Sequence, residues 1–252
     1  MQDWRSQNNF NIQRTAESVL LYKDIAKRFM GYLSINQILG KPISIIISGG
    51  MTPIYLNREI VNLHREYRNI DWNYIHFFLV DERWSARMSK DSNYRMSQET
   101  LISPLKMPNE NLHGPQYSEG NIELAATQYD AHIREHLLRY DISGFDLALL
   151  GLGVDGHTAS LFPYSEINCR DFYTIVSSEG PEGMKRISMA PAIINKSKEI
   201  WFIVTGEEKK QALTNVLYGE FDPIKYPAQK IVSSKGRVTY FTDIHIDRGE
   251  MY

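Results

Sequence analysis

The sequence predicts an α/β fold of three layers, with a mostly parallel central sheet flanked by helices. Short apolar runs rich in β-branched residues recur along the chain, and segments with apolar residues at helical spacing alternate with them. Glycine-rich or charged stretches come directly after several of the apolar runs. Continuous apolar runs are typical of strands that are buried on both faces of a parallel sheet. Strands that alternate with helices in this way indicate one sheet with helices on its faces.

The first third of the chain contains two strand–helix repeats. Residues 14–34 carry apolar side chains at helical spacing and predict a helix. The run ISIIIS at 43–48 predicts a buried strand, and 54–67 predicts the helix after it. The run IHFFLVDERW at 75–84 predicts a second buried strand that ends in charged residues.

The middle of the chain continues the alternation. Residues 91–102 predict a helix with Asp91 or Ser92 as its cap, because short polar side chains accept hydrogen bonds from the first N–H groups of a helix. Residues 121–140 predict an amphipathic helix, and FDLALLGLG at 145–153 predicts a third buried strand with a glycine turn.

The last part of the chain adds two further strands. Residues 199–218 predict a strand, a glycine turn and a helix, and 237–243 predict a late strand. Ligands of open parallel sheets bind beyond the carboxyl ends of the strands. The stretches that follow the strands are therefore where a site is expected.

Composition bounds the class of protein. The chain has 252 residues, which fits a single α/β domain over 1–252, and its formal net charge is -2. No overall basic field would recruit nucleic acid or an anionic membrane, so an anionic substrate needs local cations. Cys169 is the only cysteine, which excludes an intramolecular disulfide. With neither a signal-peptide pattern nor a membrane-length apolar run, the expected location is the cytoplasm.

The turn SGGMTP at 48–53 joins a predicted strand to a predicted helix. Glycines let the backbone approach a ligand closely, and the free N–H groups of a helix start suit a phosphate. Thr52 would add a hydroxyl. The alternative is a tight turn with Pro53 at the first helical position. The stretch matches neither nucleotide-binding glycine motif, so no nucleotide is expected.

Charged residues follow other strands. Asp81, Glu82 and Arg83 end the strand 75–84, and Arg83 could hold a phosphate or a carboxylate. Arg186 and Lys209 could also reach an anion at the strand ends. Taken alone, the stretch 81–83 is better explained as a solvated strand end with a local ion pair, and Arg186 and Lys209 as ordinary surface cations.

The densest motif is GLGVDGHTASLFP at 151–163. Its histidine, His157, is suited to proton transfer near neutral pH, and Asp155 lies at a spacing that can orient the imidazole. The alternative is a capping aspartate and a structural histidine before a helix. We expect a functional role for both residues, with the segment after His157 starting the next helix.

The remaining histidines show no metal-ligand pattern in the sequence. His132 and His136 lie four residues apart on one face of the predicted helix 121–140, a spacing that could bind a metal. No third ligand is near them in the sequence. We therefore predict a solvated helix face and not a metal site.

Taken in order, these stretches resemble the 6-phosphogluconolactonase family, which belongs to a wider group with glucosamine-6-phosphate isomerase/deaminase. The family pattern is approximately SGGSTP, DER followed by DSN, GxGxDGHTASLFP, an R-[IV]-[ST] strand and G-x-x-K. This chain has SGGMTP, VDERW with DSNYRM, GLGVDGHTASLFP, RISMAPAIIN and GEEK. The resemblance extends over about residues 14–243.

The resemblance implies hydrolysis of 6-phospho-D-glucono-1,5-lactone to 6-phosphogluconate, a step of the pentose phosphate pathway, without a cofactor. It implies that His157 is the general base and that Asp155 orients it. It assigns substrate and phosphate binding to Gly49, Gly50, Thr52, Asp81, Arg83, Arg186 and Lys209. The expected partner is a small sugar-phosphate lactone, with no nucleic acid or membrane, and the expected state is a monomer or a homodimer.

The chain departs from the family pattern at two positions. Met51 stands where serine is usual, and Ser188 stands where threonine is commoner. Three rival functions remain: a deaminase or isomerase of amino sugar phosphates, a non-catalytic sugar-phosphate sensor, and a structural or interaction protein, for which the order of the motifs would be a coincidence. The deaminase branch carries a glutamate just before the proline of the histidine motif, where this chain has Phe162. A sensor would need the phosphate contacts but not the pair Asp155 and His157.

Overall fold

The computed structural model describes residues 10–37, 41–117, 120–165, 173–177, 183–234 and 236–246. Its central sheet has seven strands, and every neighbouring pair is parallel. In spatial order, the strands are β1 (Phe10–Arg14), β10 (Arg237–Thr242), β9 (Glu199–Val204), β6 (Leu147–Gly151), β2 (Ile43–Ile47), β3 (Ile75–Leu79) and β5 (Leu112–His113). The prediction of a mostly parallel central sheet is confirmed.

Helices cover both faces of this sheet. They are α1 (Ser18–Asn36), α2 (Met51–Leu63), α3 (Asn93–Ser97), α4 (Ile122–Arg139), α5 (Pro191–Ile194) and α6 (Lys210–Tyr218). A π-helical segment continues α3 over Gln98–Ile102, and single helical turns lie at Trp72–Tyr74, Asn109–Asn111, Glu207–Lys209 and Pro227–Lys230.

The two faces of the sheet form separate buried cores. Ile45 and Ile47 of β2 pack with α1 and α2, whereas Ile46 belongs to the core that contains α4 and α6. Successive side chains of a strand point to opposite faces, so a strand between two helical layers is apolar throughout. This is why the predicted strands read as continuous apolar runs.

A second, smaller sheet was not predicted. It is antiparallel and has the order β4 (Asp81–Arg83), β8 (Arg186–Met189) and β7 (Thr174–Ser177). The expected strand 75–84 is therefore two strands in different sheets. The chain changes sheets at Val80, whose N–H donates to the Ile47 carbonyl (2.8 Å) and whose carbonyl accepts from Met189 N–H (2.6 Å).

Three local predictions were wrong. The stretch after His157 forms a tight turn with a bridge between Thr158 and Leu161, not a helix, and Ala159 has a left-handed φ of 52° that interrupts helical geometry. Helix α2 begins at Met51, so Pro53 is its third residue. The expected helix 14–34 begins at Ser18, because residues up to Arg14 pair with β10.

Only one of the two histidines on this face of α4 is solvated, which corrects part of a further prediction: His132 is exposed, whereas His136 is buried. His136 is only 6% exposed, and it packs against Phe78 of β3. Other predictions are confirmed, including Ser92 as a helix cap, since its hydroxyl accepts from Arg95 N–H (3.1 Å). Cys169 lies outside the described residues. Among the residues described, no helix has the length and apolar character needed to cross a membrane.

A buried carboxylate fixes the region after the sheet change. Glu82 is 7% exposed and accepts four hydrogen bonds, from the N–H groups of Arg83, Asn93 and Tyr94 (each 2.8 Å) and from the Ser92 hydroxyl (3.0 Å). Burial raises the pKa of Glu82, and these four hydrogen bonds act against that shift. The carboxylate thus joins β4 to the start of α3.

Substituting this carboxylate should cost stability. Glu82→Gln replaces one acceptor oxygen by an N–H₂ group that faces donors, so the free energy of unfolding should fall by about 1.5–3 kcal/mol. Urea unfolding followed by circular dichroism measures the change. Glu99→Gln is the control, because Glu99 forms an exposed pair with Arg95 and should change the unfolding free energy by less than about 0.5 kcal/mol. Equal effects of the two substitutions would contradict this role of Glu82.

Candidate active site

The carboxyl ends of four adjacent strands, β9, β6, β2 and β3, meet at one edge of the central sheet. A cavity of about 330 Å³ opens there. Eight of the nine predicted site residues line it, and the ninth, Asp155, contacts one of them. The lining residues among them are Gly49, Gly50, Thr52, Asp81, Arg83, His157, Arg186 and Lys209. The structure therefore brings together residues that are up to 160 positions apart in the sequence.

The turn between β2 and α2 forms one wall of this cavity. Gly50 has a φ of 97°, a conformation that favours glycine, and it places the start of α2 at the cavity. The N-cap residue, Gly50, has no side chain, so the first N–H groups of this helix receive no hydrogen bond from an N-cap side chain. A helix start in this state is suited to an anion. Met51, at the position where the family has serine, is 62% exposed on the rim.

His157 and Asp155 form a carboxylate–imidazole pair. Asp155 Oδ1 lies 2.5 Å from His157 Nδ1 and also accepts from the His157 backbone N–H (3.1 Å). An ionised carboxylate only accepts hydrogen bonds, so it places the ring proton on Nδ1 and leaves Nε2 with a lone pair. Partial burial raises the pKa of Asp155, but the hydrogen bonds from His157 outweigh this effect and hold that pKa below 3.8.

The backbone around the imidazole explains the glycines of the motif. The Gly153 N–H donates to the His157 carbonyl (2.8 Å), which closes the turn. A Cβ atom at Gly153 would lie 2.1 Å from His157 Nδ1, so only glycine permits the ring to lie over this backbone. The Thr158 hydroxyl donates to the Gly151 carbonyl (2.8 Å) and fixes the other side of the turn.

Three cations line the same cavity. Arg83 on β4 is directly opposite Arg186 on β8 in the antiparallel ladder, so both side chains lie on one face of the small sheet. Within the described residues, no carboxylate oxygen lies within 4.0 Å of the Arg83 guanidinium nitrogens or of Lys209 Nζ. Burial lowers the pKa of Lys209, and the nearby carboxylates of Glu208 and Asp243 only partly oppose this. An anion in the cavity would favour the charged form of Lys209.

Asp81 has a different role from the cations beside it. It is 7% exposed, and its carboxylate accepts from the Ser160 hydroxyl (2.6 Å) and from Asn93 Nδ2 (3.2 Å). These contacts join β4 to α3 and to the histidine turn. Asp81 therefore presents a fixed acceptor to the cavity.

Sequence reasoning did not assign Asn93 to the site and did not show how Phe162 packs. Asn93 lines the cavity and is the asparagine of the DSN stretch that follows DER, so the motif contained the signal. Phe162 packs beside the imidazole, with 5.0 Å between its ring centroid and that of His157, and the Arg186 guanidinium lies 5.7 Å from the Phe162 ring. No carboxylate occupies the position of Phe162, as the sequence already required.

Comparisons with known proteins agree with this arrangement. Residues 17–240 match the family described as glucosamine-6-phosphate isomerases/6-phosphogluconolactonase. The 6-phosphogluconolactonase of Haemophilus influenzae is 33% identical over 222 residues, which cover 87% of this chain and 90% of that protein. The 6-phosphogluconolactonase of Thermotoga maritima is 34% identical over 175 residues, which cover 69% of this chain and 74% of that protein.

A solved structure shows that the likeness extends to the fold. The crystal structure of the Thermotoga maritima 6-phosphogluconolactonase superposes with a TM-score of 0.79 and 27% identity, over 92% of this chain and 99% of that one. The family match covers most of the chain, and the relatives are matched over most of their length. The chain belongs to the glucosamine-6-phosphate isomerase/6-phosphogluconolactonase family.

Proposed function

We propose that this protein hydrolyses 6-phospho-D-glucono-1,5-lactone to 6-phosphogluconate in the pentose phosphate pathway. One observation carries the proposal: a single cavity contains a carboxylate-supported imidazole together with three cations and a helix start without a side-chain cap. The imidazole supplies a base for ester hydrolysis, and the cations supply a site for a phosphate. Relatives that match most of the chain are 6-phosphogluconolactonases.

In this proposal His157 activates water. Nε2 accepts a proton from a water molecule as the water oxygen bonds to C1 of the lactone. The bond between C1 and the ring oxygen then breaks, and the imidazolium returns its proton to that oxygen. Asp155 stabilises the imidazolium through its contact with Nδ1. The carboxylic acid product loses a proton at neutral pH, so each turnover releases acid.

The phosphate would lie among Arg83, Arg186, Lys209 and the first N–H groups of α2, with Thr52 and the backbone of Gly49 and Gly50 beside it. A carboxylate next to a phosphate is unfavourable, so Asp81 suits a hydroxyl of the sugar acid better than the phosphate itself. Phosphate binding orients the lactone carbonyl near Nε2, and such orientation supplies a large part of the rate of an enzyme.

The rival deaminase or isomerase function is less consistent with the site. That branch has a glutamate at the position of Phe162, and here an apolar ring packs against the imidazole. A sensor would not need the pair Asp155 and His157. All the proposed site residues belong to one chain, which suits a monomer or a homodimer, and we propose one of these two states. We also propose that residues 1–252 form one domain and that the protein works in the cytoplasm.

Removing the base should abolish most of the activity. His157→Ala should lower kcat by at least about 10²-fold, the usual contribution of a positioned general base. The assay follows acid release from freshly prepared lactone, above the spontaneous rate. His64→Ala is the matched control, because His64 lies on α2's carboxyl end away from the cavity and should leave kcat unchanged. Equal rates for wild type and His157→Ala would show that His157 is not the base.

The Asp155 carboxylate should affect kcat but not the slope of the pH–rate profile on its acid side. Asp155→Asn removes the charge that stabilises the imidazolium, so kcat should fall by about 10²- to 10⁴-fold. Because the contacts with His157 hold the pKa of Asp155 below that of an ordinary aspartate, this group stays ionised between pH 8 and pH 5. The acid side of the kcat/KM profile should then have the same slope for wild type and for Asp155→Asn, since titration of the substrate phosphate is common to both. A wild-type slope that is steeper by one proton would mean that Asp155 also titrates there.

The cations should act mainly on binding. Lys209→Met removes one charge-assisted contact and should raise KM by about 10-fold or more, with a smaller change in kcat. Lys210→Met, at the neighbouring position outside the cavity, is the control and should leave KM unchanged. Initial-rate kinetics of the three proteins decide the matter. A loss confined to kcat in Lys209→Met would place Lys209 at the reacting atoms instead of at the phosphate.

A further inference from the structure

Four histidines come together at the edge of the central sheet, on the face covered by α4. His76 lies on β3, His113 on β5, and His132 and His136 on α4. We call these residues the histidine cluster. The catalytic cavity shares no lining residue with the cavity beside this cluster. The proposed lactone chemistry leaves the cluster without a role.

Three of these imidazoles are placed to share one ion. His76, His113 and His136 each present a ring nitrogen, and these nitrogens lie within 4.8 Å of one another. His76 Nδ1 and His113 Nε2 are 2.9 Å apart. Two nitrogens bound to one tetrahedral zinc ion, at about 2.0–2.1 Å each, lie roughly 3.3–3.4 Å apart. If the two rings move apart by a few tenths of an ångström, their nitrogens reach the separation that a bound zinc ion requires.

Outer contacts already hold two of the rings. His113 Nδ1 is hydrogen-bonded to His132 Nε2 (2.8 Å), and His136 Nε2 is hydrogen-bonded to the Ser44 hydroxyl (2.7 Å). Ser44 is completely buried on β2. Metal-bound histidines usually keep their second ring nitrogen on such a partner, which fixes the tautomer and the ring orientation.

The surroundings keep the three imidazoles in the neutral form that binds metals. Burial, with smaller contributions from the neighbouring histidines, lowers the pKa of His76 to about 4, of His136 to about 3 and of His113 to about 2. At neutral pH no proton competes for these nitrogens. His113 and His132 also line a cavity of about 470 Å³, which provides access for an ion and room for a water ligand.

We propose that His76, His113 and His136 form a binding site for a divalent transition-metal ion, with His132 and Ser44 as outer supports. A donor set made only of imidazoles suits zinc, copper, nickel or cobalt and does not suit magnesium or calcium, which bind oxygen ligands. The ion would connect the two-residue edge strand β5 to β3 and α4. An ion that binds the folded state and not the unfolded state should then stabilise this edge of the central sheet.

The site can be tested by calorimetric titration of the metal-free full-length chain with zinc chloride. The titration uses the His157→Ala protein as parent, because the His157–Asp155 pair could itself bind zinc. The parent should bind one zinc ion, and its melting temperature should rise with zinc concentration. His113→Asn and His136→Asn should lose this binding, whereas His64→Asn should retain it. Ser44→Ala should weaken it by about 10- to 100-fold, the usual effect of losing an outer partner.

Two results would overturn the proposal: a parent that binds no zinc, and a His113→Asn protein that binds zinc as tightly as the parent. Circular dichroism melts show whether each variant is folded. If the variants do not fold, the test is the visible absorption spectrum of the parent protein loaded with cobalt(II). Visible absorption bands of nitrogen-bound cobalt that one equivalent of zinc removes would support the site, and their absence would contradict it. Lactonase activity is not read in any of these measurements, so the outcome is independent of the proposed function.

Discussion

The change of sheet at Val80 is the constraint on which the site depends. The Val80 N–H donates a hydrogen bond to the Ile47 carbonyl of β2 in the central sheet, and the Val80 carbonyl accepts one from the Met189 N–H of β8 in the small sheet. The three residues that follow are therefore directed across the carboxyl edge of the central sheet. Asp81 meets Ser160 of the histidine turn, Glu82 is buried under α3, and Arg83 comes opposite Arg186.

The buried carboxylate of Glu82 makes this arrangement rigid. Four donors surround it, and all belong to β4 or to residues at the start of α3. This anchoring also places Asn93, whose side-chain amide donates to the Asp81 carbonyl and which lines the cavity. The opposite wall is the glycine turn that holds His157 against Asp155, and the Ser160 hydroxyl connects this turn to Asp81. The proposed phosphate site and the proposed base thus lie on two connected segments, which suits the orientation of a bound lactone.

Much of the central sheet could be predicted from sequence, because long apolar runs such as 43–48 and 199–204 have an unambiguous pattern. The candidate site residues could also be predicted, since all except Arg186, the first residue of β8, belong to short motifs that follow a strand. Strand β5 could not be predicted, because two residues have no periodicity. The small sheet could not be predicted because β4 follows the apolar strand β3 after a single residue, so the two strands look like one in the sequence. The expected helix after His157 failed because local hydrogen bonds close a turn there.

The histidine cluster was beyond the sequence for a different reason. His132 and His136 have a helical spacing that is visible, but their partners come from β3 and β5, far away in the chain. The parallel pairing of β5 with β3, which places His113 beside Phe78, brings these strands to the same helix face. Short motifs therefore pointed to the proposed catalytic residues, whereas a cluster built from separate elements required the tertiary structure.

The most direct test of the account compares two substrates. The initial rate of acid release is measured with freshly prepared 6-phosphogluconolactone and with the same lactone lacking its phosphate. The three cations that we propose as partners of the phosphate, each worth at least about 1.4 kcal/mol, predict a kcat/KM at least about 10³-fold higher for the phosphorylated lactone. Equal kcat/KM values, or no rate above spontaneous hydrolysis for either lactone, would contradict the assignment of this cavity to a sugar-phosphate lactone.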